Sequence, residues 1–272
     1  MTRPPRLLTI AGSDSGGGAG IQADLKTFAA LGCHGMSVIT AVTAQNTVEV
    51  RSVQQIEPAV IADQIDAVFE DIGVDAMKIG MLASAPVVEV VADRLAARPP
   101  TPTVLDPVMI AKSGAVLLDD GAVAALRTLL MPRATLVTPN LSETRRLAGL
   151  PAGAPLETVA ERVAAARELV AAGASAVLVK GGHGEGKTVL DLLFDGERVH
   201  RFEHPRLETR SDHGTGCTLS AAIAAALGHG RTLVEAVREA GEYLHGAMAR
   251  AFPLGHGHGP VHHFHRYRGA WS

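Results

Sequence analysis

Residues 213–218, with the sequence His-Gly-Thr-Gly-Cys-Thr, combine a thiol with backbone amides that no large side chain covers. The stretch that follows, residues 219–227, is rich in alanine, and we expect it to be helical. The free amides of residues 214–217 would then point out of the helix N-terminus, where the macrodipole favours negative charge. A helix cap alone would explain one threonine and one glycine. Two glycines around Thr215, with Cys217 next, indicate a pocket for a transferring phosphoryl group.

A second glycine-rich segment, residues 12–20, follows a short apolar run. Its sequence, Gly-Ser-Asp-Ser-Gly-Gly-Gly-Ala-Gly, lets the backbone approach a ligand closely before a helix begins at Ile21. It matches neither the dinucleotide-binding fingerprint nor the Walker loop. A flexible turn is the simpler alternative. Because such a segment is costly to order directly after a strand, we assign it a binding role.

Residues 181–188 match the phosphate-binding pattern G-x-x-x-x-G-K-[ST] and follow an apolar run. That motif works through a helix that begins at its Lys and Thr, here Lys187 and Thr188. Residues 189–202 instead form two extended runs around Asp195-Gly196, which predicts a β-hairpin. We therefore reject the phosphate-loop interpretation.

The remaining chain supplies the strands and helices that must position these segments. Apolar runs rich in β-branched residues alternate with longer alanine- and leucine-rich stretches at helical spacing. The predicted strands are residues 7–11, 37–42, 76–79, 103–105, 136–138 and 176–180, followed by the hairpin 188–194 and 197–202. The predicted helices are residues 21–31, 59–71, 86–97, 119–130, 156–172, 215–227 and 233–251.

This alternation predicts an α/β fold with a mostly parallel central sheet, helices on both faces and an antiparallel edge hairpin. No linker or internal repeat divides the chain, so we expect a single domain over residues 1–272. Ligands of such sheets bind beyond the carboxyl ends of the strands, which is where both glycine-rich segments fall.

Composition narrows the possible partners. The 272 residues are 47% hydrophobic and carry a net charge of -3, with Lys and Arg scattered among acids. This excludes an electrostatic footprint for nucleic acid or anionic membrane and favours a small ligand. The apolar run at residues 7–10 is too short for a signal peptide or membrane span. Cys33 and Cys217 lie in dissimilar contexts that do not indicate a disulfide. We expect a cytoplasmic protein.

Further motifs occur in order along nearly the whole chain. They are Gly12-Ser13-Asp14-Ser15-Gly16-Gly17-Gly18-Ala19-Gly20-Ile21-Gln22-Ala23-Asp24-Leu25-Lys26-Thr27, Ala44-Gln45-Asn46, Lys78-Ile79-Gly80-Met81-Leu82, Leu105-Asp106-Pro107-Val108-Met109, Thr138-Pro139-Asn140-Leu141-Ser142-Glu143, Lys180-Gly181-Gly182-His183, His213-Gly214-Thr215-Gly216-Cys217 and Gly259-Pro260-Val261-His262-His263-Phe264-His265. Together they resemble the hydroxymethylpyrimidine/phosphomethylpyrimidine kinases of thiamine biosynthesis. The resemblance implies a ribokinase-like α/β fold, a homodimer, and two successive phosphorylations by ATP: hydroxymethylpyrimidine to its monophosphate and then to its diphosphate.

For phosphoryl transfer, the resemblance implies catalytic roles for Cys217, Lys180, Gly214 and Gly216, with Thr215 at the phosphates. Cys217 takes the position where related sugar kinases carry an aspartate base. A helix N-terminus can lower the pKa of a thiol, which would then accept the alcohol proton; a packed, buried thiol is the alternative. Lys180 closes an apolar strand, where an ammonium has little structural reason to lie, so we expect it to reach the phosphates of ATP.

The phosphates and their metal are assigned to three further residues. Asp106, at a strand end before Pro107, resembles the family's acidic residue near the phosphates, although it would also suit a turn. Asn140 and Glu143, three apart, fall on one side of a helical first turn. We expect both to hold Mg²⁺ through water, with a helix-capping pair as the alternative.

The acceptor pocket is assigned around Gln45, whose amide both donates and accepts and so matches the amino group and ring nitrogen of an aminopyrimidine. By resemblance, Met81 and Val108 line the ring, and Ala19 offers its backbone amide. Asp24 is also a candidate substrate contact, although at a helix start it would equally favour the dipole.

Two rival functions share much of this pattern. A pyridoxine or pyridoxal kinase of vitamin B6 salvage has the same fold, but Gln45 and Met81 favour the pyrimidine. A ligand-sensing relative without turnover would not need the full catalytic set, which includes Asp106, Lys180 and Cys217.

Overall fold

One nine-stranded mixed sheet forms the centre of the molecule, in the order β3-β2-β1-β4-β5-β6-β7-β8-β9. The computed structural model describes residues 3–110, 114, 117–182 and 186–267. The strands are β1 (Arg6–Asp14), β2 (His34–Gln45), β3 (Val50–Gln55), β4 (Ala76–Ile79), β5 (Thr103–Leu105), β6 (Leu136–Val137), β7 (Val177–Val179), β8 (Thr188–Phe194) and β9 (Val199–Pro205).

Strands β2, β1, β4, β5, β6 and β7 pair in parallel, as the alternating pattern predicts. The antiparallel pair β8–β9 confirms the predicted edge hairpin. At the opposite edge, β3 pairs antiparallel with β2 and was not predicted. Its sequence, Val-Arg-Ser-Val-Gln-Gln, lacks a buried face, so strand periodicity gives no signal there; pairing with the long β2 holds it in place.

The helices are α1 (Gly20–Ala30), α2 (Pro58–Ala67), α3 (Ala85–Ala96), α4 (Asp120–Ala125), α5 (Leu141–Leu147), α6 (Val159–Ala171), α7 (Thr215–Gly228) and α8 (Leu233–Ala249). The π-helical turns Val68–Ile72 and Leu126–Leu130 continue α2 and α4. The spacing of Asn140 and Glu143 predicts the first turn of α5, but apolar periodicity does not show the helix, because its seven residues, Leu-Ser-Glu-Thr-Arg-Arg-Leu, are too few for an apolar stripe. Among the described residues, no helix has the length and apolar character needed to cross a membrane.

Helices cover both faces of the sheet, as expected for an α/β fold. Successive side chains of a strand point to opposite faces, so Leu7 of β1 packs with α1, α7 and α8, while Leu8 and Ile10 pack with α2, α3 and α4. The same alternation turns Thr9 and its β4 register partner Lys78 toward α1, inside the layer. Two separate apolar cores result, and α7 and α8 are held against the sheet directly beside the strand ends.

Candidate active site

A cavity of about 880 Å³ lies at the carboxyl ends of the parallel strands, where the glycine-rich segments meet. Nearly all of the predicted site residues line it: Ala19, Gln45, Met81, Asp106, Val108, Asn140, Glu143, Lys180, Gly214, Thr215, Gly216 and Cys217. They come from six separate strand ends and from the N-terminus of α7. The spatial convergence follows from the parallel sheet, which brings all carboxyl strand ends to one edge.

Asp24 is the predicted substrate contact that does not line the cavity. Its side chain is fully buried, accepts from the Lys78 ammonium at 2.8 and 3.0 Å, and accepts from the Thr9 hydroxyl at 2.6 Å. A buried carboxylate is stable when it is paired and hydrogen-bonded in this way. The interpretation of Asp24 as a substrate contact is therefore wrong; it holds Lys78, which does line the cavity.

The glycine-rich segment is organised around Asp14, which the sequence analysis did not single out. Its buried carboxylate accepts the backbone amides of Gly16, Gly18 and Ala19 at 2.8, 3.0 and 2.8 Å. Burial opposes the charge, but His213 and these amides hold the pKa of Asp14 below its usual value. Because the Ala19 amide is already used, the expectation that it would bind substrate is wrong.

His213 connects the glycine-rich segment to the acceptor side of the cavity. Its Nε2 atom lies 3.0 Å from an oxygen of Asp14, and the side-chain nitrogen of Gln45 lies 3.3 Å from the same Nε2. The Ser15 hydroxyl donates to the backbone carbonyl of Gln45 and accepts from its amide. Gln45 is therefore fixed through its backbone, and its side chain lines the cavity, where the side-chain oxygen accepts from the Thr43 hydroxyl at 3.3 Å. His213 was visible in the sequence motif but was given no role there.

Gly214 is the N-cap of α7; its φ of 78° is left-handed, and within the described part of the chain no side chain caps the helix. The first amides of an α-helix have no intrahelical partner, so the amides of residues 215–217 remain for a ligand. A Cβ on Gly214 would overlap the carbonyl oxygen of Gly18, so the close contact between the two glycine-rich segments requires glycine here.

The sulfur of Cys217 lies where the sequence predicts, but its acidity is opposite to expectation. Burial raises the pKa of the Cys217 thiol to about 11, and the nearby charge of Lys78 offsets only part of this. The expected lowering at a helix N-terminus is therefore wrong for this structure, because loss of solvation outweighs the favourable dipole. At neutral pH the group is a thiol.

Lys180 and Asp106 form an ion pair of 2.8 Å at the floor of the cavity. Asp106 also accepts from the hydroxyls of Thr138 and Ser220 at 3.2 and 3.3 Å. Burial alone would raise the pKa of Asp106, but the charges of Lys180 and Lys78 hold this pKa below its usual value. Burial likewise opposes the charge of Lys180, but Asp106 and Glu143 raise the pKa of its ammonium. Both groups are charged at neutral pH.

Asn140 and Glu143 form a capping box at the start of α5. The Asn140 side-chain oxygen accepts hydrogen bonds from the backbone amides of Ser142 and Glu143 at 2.9 and 3.0 Å. In return, the Glu143 carboxylate accepts from the backbone amide of Asn140 at 2.7 Å. A carbonyl oxygen has two lone pairs, and both are used here. Asn140 therefore faces the cavity as a donor through its NH₂ group, and the interpretation of Asn140 as a metal ligand is wrong.

Glu143 lines the cavity, and its carboxylate accepts from the backbone amides of Asn140 and Met109. Burial raises its pKa to about 7, partly offset by Lys180 and further raised by Asp106. Desolvation of a carboxylate with incomplete charge compensation explains the shift. A cation at this position would favour the ionised form.

A further arm of the cavity was not predicted from the sequence. It is bounded by side chains from β9, the segment after it and α8: His204, Pro205, Leu207, Leu244, His245 and Met248. The rings of His204 and His245 stack with centroids 5.8 Å apart. Flat rings and aliphatic side chains suit an aromatic base. No local motif marks these side chains, because β9 and the segment after it are distant in sequence from α8.

At the end of the rejected phosphate-loop match, where that motif requires a helix to begin, the chain is extended. Thr188 opens β8, and Lys187 is exposed just before it. Residues 183–185 of the match, including His183 of the Lys180-Gly181-Gly182-His183 motif, lie outside the described residues. Rejection of this motif on the basis of the hairpin is confirmed.

Comparison with known proteins agrees with this geometry. The model of the phosphomethylpyrimidine kinase family matches residues 14–262. The chain is 53% identical to a hydroxymethylpyrimidine/phosphomethylpyrimidine kinase of Rhizobium meliloti over 96% of this chain and 97% of that protein. It is 51% identical to the Escherichia coli protein of the same name, over 96% and 97%.

Solved structures show the same fold. A pyridoxal kinase of Bacillus subtilis in complex with ADP superposes with a TM-score of 0.87 at 38% identity, covering 96% of this chain and 97% of that one. A phosphomethylpyrimidine kinase of Clostridium difficile gives a TM-score of 0.78 at 41% identity, over 89% and 98%. The ribokinase-like fold implied by the motifs is confirmed.

Proposed function

The chain belongs to the phosphomethylpyrimidine kinase family, and from this we propose that it phosphorylates 4-amino-5-hydroxymethyl-2-methylpyrimidine with ATP, first to the monophosphate and then to the diphosphate, in thiamine biosynthesis. The observation that carries the proposal is the convergence of three groups on one cavity: the free N-terminus of α7 with Cys217, the Lys180–Asp106 pair, and the Gln45 amide. Anion binding, charge neutralisation and recognition of a ring with donors and acceptors are thereby joined.

We assign the acceptor ring to the arm of the cavity at Gln45. The Gln45 amide would pair with the amino group and adjacent ring nitrogen of the pyrimidine. Met81, held through its carbonyl by the Thr40 hydroxyl at 2.7 Å, would pack on the ring face, with Val108 across from it. The hydroxymethyl group would then point toward the α7 N-terminus.

In the transfer step, the substrate hydroxyl oxygen forms a bond to the γ-phosphorus while the bond from that phosphorus to the β–γ bridging oxygen breaks. The amides of Thr215, Gly216 and Cys217 and the Lys180 ammonium neutralise charge on the transferring oxygens. Because the Cys217 thiol is neutral at pH 7, we infer that its sulfur orients the hydroxyl, and that the hydroxyl proton passes late, in a loose transition state, to an oxygen of the transferred phosphoryl group while ADP leaves.

The nucleotide is assigned to the remaining arms of the cavity. The phosphates of the nucleotide would lie against α7, Lys180 and the NH₂ group of Asn140. The base would lie in the arm of the cavity that β9 and α8 form. A kinase of this family uses ATP, and related pyridoxal kinases of Staphylococcus aureus were solved with ADP and with AMP-PCP.

The carboxylate of Glu143 fits a magnesium ion held through water. Mg²⁺ keeps several waters and is bound by few carboxylates plus substrate phosphates. Glu143 provides one desolvated carboxylate beside the phosphate site, whereas Asn140 does not present an oxygen. When bound, the ion would neutralise phosphate charge and help to align the nucleotide.

We further propose a cytoplasmic homodimer composed of one domain per chain. Family resemblance supports the dimer, and the β2–β3 hairpin carries the exposed apolar residues Val42, Val48 and Val53. Both cysteines are free thiols, as is usual in a reducing compartment.

A pyridoxal kinase is the second candidate, because several structures similar to this chain are pyridoxal kinases at 32–38% identity. Mass spectrometry of products will separate the two. The protein is incubated with Mg-ATP and, separately, with the hydroxymethylpyrimidine, its monophosphate and pyridoxal. Diphosphate formed from both pyrimidines supports the proposal. Phosphorylation of pyridoxal alone assigns the chain to vitamin B6 salvage, and binding without turnover would indicate a ligand-sensing relative.

A further inference from the structure

The C-terminal segment at residues 255–263, here called the strap, has no role in the mechanism above although part of it belongs to a conspicuous sequence motif. Its end is anchored to α8: the Tyr243 hydroxyl donates to the His263 carbonyl at 2.6 Å, and the His262 amide donates to the Ala247 carbonyl at 3.0 Å. The His263 ring also contacts the Thr218 hydroxyl of α7 at 3.2 Å. The strap is therefore fixed to the two helices behind the cavity.

The start of the strap is hydrogen-bonded to the turn that follows Gln45. The Gly257 amide donates to the Thr47 hydroxyl at 3.2 Å, and the His258 amide donates to the Thr47 carbonyl at 3.0 Å. A Cβ on Gly257 would overlap that carbonyl oxygen. Glycine is thus required for the backbones to approach this closely.

The middle of the strap holds the loop that leads into α7. The Gly259 amide donates to the Arg210 carbonyl at 2.9 Å, and the His213 amide donates to the Gly259 carbonyl at 3.0 Å. The His258 Nδ1 atom lies 2.6 Å from an oxygen of Asp212. One short segment therefore joins two loops that are distant in sequence.

Two side chains meet at the acceptor pocket, 3.3 Å apart: Gln45, the last residue of β2 directly before the first loop, and His213 on the second loop. Displacement of either loop changes where the Gln45 amide points. Small displacements of a substrate-orienting group can reduce rates by up to about 10²-fold.

We propose that the strap is a positioning element for the acceptor pocket: Gly257 and His258 set the Gln45 amide against the loop before α7. This inference rests on the proposed function, since it takes Gln45 to contact the pyrimidine. Gly257 and His258 act through Gln45 and touch neither substrate.

The test is a double-mutant cycle between Gly257→Ala and Gln45→Ala, with steady-state kinetics for both substrates. Gly257→Ala should raise the KM for hydroxymethylpyrimidine by about fivefold or more while the KM for ATP stays within about twofold. In the Gln45→Ala background the same change should add nothing. Gly153→Ala is the matched control, because a Cβ there would meet no atom of the described residues within 4 Å.

His258→Ala supplies an independent test if Gly257→Ala does not fold, because the His258–Asp212 contact is partly exposed. It should raise the pyrimidine KM by about two- to fivefold, and His258→Asn, which retains a hydrogen-bonding nitrogen near the Nδ1 position, should restore it. An unchanged pyrimidine KM in both strap variants, or an equal rise with and without Gln45, would overturn the inference. A normal KM in Gln45→Ala alone would instead overturn the pyrimidine contact proposed for Gln45.

Discussion

The ammonium of Lys180 lies 2.8 Å from an oxygen of Asp106, and both groups stand beside Gly216 in the first turn of α7. The pair joins the end of β7 to the end of β5, so two strands and one helix define its position. A cation that is already paired and desolvated needs little reorganisation when phosphate charge develops.

Lys180→Met should lower kcat/KM for ATP by about 10²–10³-fold, because the transferring phosphoryl group loses its cation and Asp106 is left with less compensation. Lys187→Met is the control, since Lys187 is the exposed lysine of the rejected phosphate-loop match. Steady-state kinetics with Mg-ATP will compare them. An equal loss of kcat/KM for ATP in both variants would show that the phosphate-loop match at the hairpin also binds phosphate.

Cys217→Ser should lower kcat by about tenfold or more and leave the KM for ATP within about twofold, because the sulfur acts on the acceptor hydroxyl during transfer. Single-turnover experiments with saturating ATP will isolate the step. Unchanged turnover would restrict Cys217 to a packing role.

The acidity of Cys217 can be measured by alkylation with iodoacetamide in a Cys33→Ser variant. Burial raises the pKa of Cys217 to about 11, and only the thiolate reacts. The rate should therefore rise about tenfold per pH unit between about pH 7 and pH 9. A plateau within that range would mean that the helix N-terminus, rather than burial, controls the thiol.

Gly214→Ala should abolish activity and destabilise the protein by about 3 kcal/mol or more, because a Cβ there combines a left-handed φ with overlap against the Gly18 carbonyl. Gly230 has a similar φ of 80°, but a Cβ there would meet no atom within 4 Å in the part of the chain that the structure describes, so Gly230→Ala should lose only about 1–2 kcal/mol and keep activity. Urea denaturation of both variants separates the two contributions. Equal destabilisation would show that the overlap is relieved by local movement.

Glu143→Gln should change how stability depends on pH. Burial raises the folded-state pKa of Glu143 from its ordinary 4.5 to about 7, so between these values the folded protein retains a proton that the unfolded chain has released. The protonated Glu143 side chain therefore contributes to the free energy of unfolding in full below about pH 4.5, and this contribution is lost as pH rises through 7. Gln preserves the capping box.

The variant should therefore be more stable than the parent by about 2–3 kcal/mol above pH 8, and the difference should vanish near pH 4.5. Urea denaturation across this range will measure it. A difference that does not vary with pH would show that Glu143 ionises normally.

The sequence was sufficient for the fold class and for naming most of the predicted site residues that line the cavity. Apolar periodicity is a local property, and parallel strands end at one edge of a sheet, so strand positions predicted where a ligand binds; the assignment of Asp106, Asn140 and Lys180 to that site came from the family resemblance and from side-chain chemistry. The two glycine-rich segments were recognisable because only glycine permits such close backbone approach. Strand β3 was not predicted because an exposed strand carries too little periodic signal, and of the short helix α5 only the first turn was expected, from the spacing of Asn140 and Glu143.

The chemical state of individual groups depended on the tertiary structure. Whether Asp24 faces substrate or Lys78, whether the Ala19 amide is free, and whether the Cys217 thiol is acidic all depend on neighbours distant in sequence. Burial and charge pairing at these positions are set by packing between α1, α7 and the sheet, which local spacing does not encode. The amino-acid sequence by itself thus determined which residues gather at the strand ends, and tertiary packing decided which of their atoms remain available for chemistry.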